Sequence, residues 1–142
     1  MRCRDIIAVD RLITLATVAV AAFFLFASSA LAGDVVASGE WTKKSFNATG
    51  TWTVEQDGGD LIIILSDDFR TRNAPDLKLF FSPLAVAELN GQNATAGSVL
   101  IDELQSNRGG QTYRISGVDL ADFQTIIIHC EQYSKLWSAA AL

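Results

Sequence analysis

The residues best equipped for chemistry stand side by side near the end of the chain: His129, the only histidine, and Cys130. A thiol and an imidazole held together can act as nucleophile and base, or ligate a metal or a haem. Their spacing argues against that partnership. They close the run Thr125-Ile126-Ile127-Ile128-His129-Cys130, β-branched through its first four positions, which reads as a central strand. Adjacent residues of a strand point to opposite faces, so the two side chains part unless a bulge at Glu131 twists them together. Cys130 falls in phase with Ile126 and Ile128, the ordinary place of a small core hydrophobe. His129 then faces the other way, toward a second layer or a rim.

The carboxylates fall into two groups. Asp57 and Asp60 flank two glycines, while Asp67, Asp68 and Asp76 lie in the following loop, at the other end of the expected strands. The loop offers oxygen ligands for calcium but has no EF-hand spacing, and a solvated loop accounts for it better. There is no phosphate-cradling glycine loop, zinc-type Cys/His spacing, Ser-centred elbow or dinucleotide fingerprint. Trp41, Trp52 and Trp137, with Phe46, Phe80, Phe81 and Tyr113, are mostly core material, and an exposed subset could line a ligand site. Asn47-Ala48-Thr49 and Asn93-Ala94-Thr95 match the glycosylation triplet, which matters only in a eukaryotic source.

Positioning these residues falls to short strands separated by Gly, Asn and Asp, the pattern of one antiparallel β-sandwich. Thr51-Trp52-Thr53-Val54-Glu55 alternates, with Trp52 and Val54 on one side. Asp57-Gly58-Gly59-Asp60 reads as a hairpin turn into residues 61–65, a continuous apolar run expected to be buried on both faces. Residues 66–75 read as a solvated loop and 77–81 as a strand. Residues 84–97 are the least patterned, with room for a helical turn over 84–89. A strand is expected over 98–104 and another over 111–115. One helical turn is expected to begin at Asp119, and the last strand runs from 133 to the end.

Residues 1–11 hold three arginines and two aspartates, and 12–32 carry no charge and end on Ala30-Leu31-Ala32. This describes a secretory signal peptide over residues 1–32, with an uncleaved anchor as the alternative. Of the chain's 16 acidic and 11 basic side chains, 2 and 3 fall in that segment, leaving residues 33–142 with 14, 8 and a net charge of −6. That balance argues against nucleic acid and against an anionic membrane surface as partners. The expected location is extracytoplasmic, periplasmic or secreted. Of the two cysteines, Cys3 belongs to the signal, so the processed chain has one thiol and no internal disulfide.

Gly110-Gln111-Thr112-Tyr113-Arg114-Ile115, Asp119-Leu120, the segment from Phe123 to Cys130, and Tyr133 through Ala141-Leu142 together resemble the DM13 domain. Gly39, Trp41, Ala48-Thr49-Gly50-Thr51-Trp52 and Ala74-Pro75-Asp76-Leu77 fit as well, so the resemblance covers roughly residues 39–142. It implies a DM13-like β-sandwich over residues 33–142 with a redox or electron-transfer accessory role. By the same resemblance Cys130 is the redox residue, either a naked thiol or the ligand of a prosthetic group such as haem, and His129 is a second, weaker ligand. His129 stands where the family usually has Trp, and Trp137-Ser138 replaces the usual Phe-Gly. A redox role requires a reachable sulfur favoured by a nearby cation such as Lys135 or Arg114. The alternatives are a non-catalytic binding module with a structural cysteine, acting on an unknown protein partner, and a Cys130-linked dimer.

Overall fold

The computed structural model describes residues 33–142; the expected signal peptide lies outside them. The described residues are all-β apart from one 3-10 turn. The strands are β1 (Asp34–Glu40), β2 (Thr42–Lys43), β3 (Ala48–Thr49), β4 (Thr51–Asp57), β5 (Asp60–Leu65), β6 (Arg70–Thr71), β7 (Leu77–Ser82), β8 (Val99–Glu103), β9 (Gln111–Ser116), β10 (Thr125–Cys130) and β11 (Lys135–Ala141). β1-β4-β5-β9 form a four-stranded sheet, β2-β11-β10-β7-β8 a five-stranded one, and β3 pairs with β6 in a two-stranded sheet. All pairings are antiparallel.

The alternation in β4 does what its pattern predicts: Trp52 and Val54 are buried, and the hairpin turns at Gly58, whose φ of 60° suits a residue without a Cβ. Leu61, Ile63 and Leu65 of β5 join them. They meet Leu77, Leu79 and Phe81 of β7 and Ile126, Ile128 and Cys130 of β10 in one core. Each fully buried aliphatic of this set is worth roughly 1.5–3 kcal/mol relative to exposure.

The expectation that β5 is buried on both faces is corrected. Ile62 and Ile64 are only half-buried, because among the described residues no element fully covers the outer face of the four-stranded sheet. The doubly buried strand is β10, all six of whose residues are buried. Its second face carries Ile127 and His129, which with Phe80, Leu136 and Ala139 lie under Leu84, Val86, Leu89 and Ala94. The poorly patterned residues 84–97 are thus a cover made of turns. The loop after β5 is also less solvated than expected, since Phe69 is fully buried and β6 pairs with β3. The helical turn begins at Asp119 as predicted: its carboxylate accepts the Ala121 N–H at 3.0 Å and caps Leu120–Asp122.

Two irregularities shape the edges. In β1, Val36 is an extra residue between Val35 and Ala37, and Val35 and Val36 are 61% and 47% exposed. In β11, Trp137 is extra: Ile128 pairs with Ser138 and His129 with Leu136, while β10 keeps unbroken register with β7. Glu131 opens a turn and does not bulge β10; the extra residue lies on the partner strand. The bulge there turns Trp137 into the inner core beside Ser138.

Candidate functional site

Cys130 is a free cysteine with no exposed surface, the last residue of β10, opposite Leu77 on β7 and Lys135 on β11. The unbroken alternation of β10 sends its thiol to the inner core with Ile126 and Ile128. His129 goes to the outer face, 3% exposed, edge-on to Phe80 at 6.3 Å between ring centroids. His129 Nε2 lies 3.1 Å from the Gly91 carbonyl, which can only accept, so Nε2 donates. Nδ1 is buried without a partner. The structure does not bring the two predicted site residues together.

The end of β10, just past Cys130, is closed by a turn and by charges. The chain reverses through residues 131–134, where Ser134 takes a left-handed φ of 46°. The Glu131 N–H donates to the Asp76 carbonyl at 3.2 Å. Lys78, on β7, reaches both the Glu131 carboxylate and, at 3.3 Å, the Asp76 carboxylate. The hydrogen bond to Glu131, ahead of that to Asp76, holds the Lys78 ammonium above the usual lysine range.

Two clefts flank this closure. One, of about 370 Å³, is lined by residues 73–77 and 103–107. The other, of about 460 Å³, is lined by Phe46, Arg72, Tyr133, Lys135 and Trp137 together with residues 73–75. Residues 73–75 form the wall between them. Leu77 lines the first and Lys135 the second, so each ladder partner of Cys130 opens on a cleft while Cys130 lines neither.

Of the two cations considered for the thiol, Arg114 is committed elsewhere. It binds Asp57 at 2.9 Å and also Asp60 at the β4–β5 hairpin. A hydrogen bond from Ser116 and then the Arg114 guanidinium hold the Asp60 carboxyl below its usual range. Lys135 remains, directly across the ladder from Cys130. Among the described residues no three His, Cys, Asp or Glu side chains are grouped to hold a metal. The triplet residue Asn93 is occupied, its amide donating to the Glu88 carbonyl at 2.9 Å. A haem ligated by Cys130 and His129 does not fit this arrangement, because the two side chains occupy opposite faces of one strand and neither lines a cleft.

A family model described as electron transfer DM13 matches residues 40–142. The chain belongs to the DM13 family. No curated protein and no solved structure matches it. The DM13 match spans β2 through β11 and so includes Cys130, the covering residues 84–97 and both clefts. The sequence places Phe46 and Trp137 among aromatics that could line a ligand site, but does not show their meeting in a cleft beside β11. The one signal of that meeting was the pair Trp137-Ser138, a large and a small residue in succession where a strand breaks its alternation.

Proposed function

We propose that this DM13 chain is an extracytoplasmic electron-transfer accessory domain in which Cys130 is a guarded redox thiol. The observation that supports it is the position of Cys130 as the last residue of β10, directly before the turn 131–134 that the Glu131–Asp76 and Lys78–Glu131 contacts hold in place. Such closures open locally at far lower free energy than the fold as a whole. In the opened form the thiolate attacks one sulfur of a partner's disulfide, forming a mixed disulfide, and the partner's other sulfur leaves as a thiolate. The export signal expected over residues 1–32 supports the compartment, where partner disulfides persist.

The test is the rate at which a disulfide reagent labels the native protein across pH and at sub-denaturing urea. Guarded chemistry gives slow labelling that accelerates with pH and rises up to about fivefold in Lys78→Gln, the gain expected from losing an exposed ion pair. Labelling only upon global unfolding overturns the redox reading. The burial of Cys130 among Ile126, Ile128 and Leu77 favours, in that event, a binding module with a structural cysteine. A Cys130-linked dimer needs the same opening, and a non-reducing gel reads it.

A further inference from the structure

The cleft beside β11 differs in chemistry from the rest of the surface. Its 460 Å³ falls among small-molecule sites, which span about 300–1,000 Å³. One wall is aromatic: the Phe46 and Trp137 rings lie 4.0 Å apart between centroids, tilted by 36°. Tyr133, 59% exposed, joins the lining. This wall is fixed before any ligand arrives. The Trp137 indole N–H donates to Thr71 Oγ1 at 2.9 Å, that hydroxyl donates to the Asn47 carbonyl at 2.9 Å, and the Phe46 N–H donates to the Trp137 carbonyl at 3.0 Å.

Two cations lean over the same ring. The Arg72 guanidinium carbon is 5.2 Å and Lys135 Nζ 6.0 Å from the Phe46 centroid. Among the described residues neither forms a salt bridge, and no carboxylate lines the cleft. In a domain of net charge −6, two cations gathered over one aromatic ring make a local positive patch. The cleft across residues 73–75, by contrast, is lined by Asp76 and Glu103.

We propose that this cleft binds a small, flat aromatic molecule carrying an anionic group. The ring packs against the exposed Tyr133 and the edge of the Phe46–Trp137 wall that reaches the cleft, and the carboxylate or sulfonate is paired by Arg72 and Lys135. A saturated anion forfeits the stacking, and a neutral ring forfeits both charges. The site uses no atom of Cys130, although Lys135 stands across the ladder from that residue.

Naphthalene-2-sulfonate is the probe, titrated into the purified protein while the Trp137 indole N–H resonance is followed. Saturable movement of that resonance is expected, with weaker binding of cyclohexanesulfonate and of neutral naphthalene-2-sulfonamide. Arg72→Gln and Lys135→Gln should each weaken binding by about two- to fivefold, while Arg108→Gln, an exposed cation outside the cleft, leaves it unchanged. Cys130→Ala should bind as the unaltered protein does, so this site and the redox reading fail separately. No saturable movement of Trp137, equal binding of cyclohexanesulfonate, or undiminished affinity in both cleft variants overturns the proposal.

Discussion

At Cys130 the same burial that protects the sulfur makes the position intolerant of polarity. Serine there would place a hydroxyl among Ile126, Ile128 and Leu77, an apolar enclosure. Burying a hydroxyl without a partner costs about 1–3 kcal/mol by mutational measure. Cys130→Ser is therefore expected to lower the unfolding free energy measured by urea titration by that amount, and Cys130→Ala by less, since it buries no new polar group. A serine variant as stable as the parent would mean the side chain is not enclosed. His129 shows the opposite compromise: one nitrogen is satisfied by Gly91 and the other by nothing, a buried defect of about 1–3 kcal/mol. Alternation alone made both placements legible in the sequence. What it left open was whether His129 meets a second layer or a rim, and the structure shows the layer.

That layer belongs to the elements. Residues 84–97 have no periodicity because they are held by turns and side-chain caps, such as the Asn90 N–H donating to Asn93 Oδ1 at 2.8 Å. No pattern of apolar positions could have announced a cover built that way. Its fit against the turn after β10 is tight: a Cβ on Gly91 would stand 2.2 Å from the Ser134 carbonyl oxygen. Gly91→Ala must push the cover and the turn apart, so it should cost on the order of 2 kcal/mol or more and speed thiol labelling of Cys130. Unchanged stability and labelling would show that cover and turn move independently. The strands were the legible part, since β4, β7 and β10 follow from alternation and β-branching. β5 was misread because an unbroken apolar run does not say how many layers lie over it, and Ile62 and Ile64 need only partial cover. The bulge at Trp137 was hidden because one extra residue shifts register without changing composition.

For the molecule as a whole, titration sets the limits of stability. Lys78 is raised by its hydrogen bonds to Glu131 and Asp76, and Tyr113 is raised by burial. A raised value in the fold means a contribution fully present below the unfolded value, near pH 10 for both groups, and lost as pH climbs past it. Asp60 is lowered, so its contribution is present above about pH 4 and fades as acid protonates the folded carboxyl. Thermal midpoints should therefore hold level through the neutral range, fall above about pH 10 and fall again below about pH 4. A midpoint flat to pH 11 would show that neither Lys78 nor Tyr113 is coupled to folding.

One more property belongs to the assembled sheet. The outermost strand β1 shows two valines to solvent, a combination that in a flat strand invites a second molecule to add itself by backbone pairing. The surplus residue Val36 kinks the ladder there. Neighbouring copies laid rim against rim lose step at that point, which insulates crowded molecules from one another while the valines stay in place.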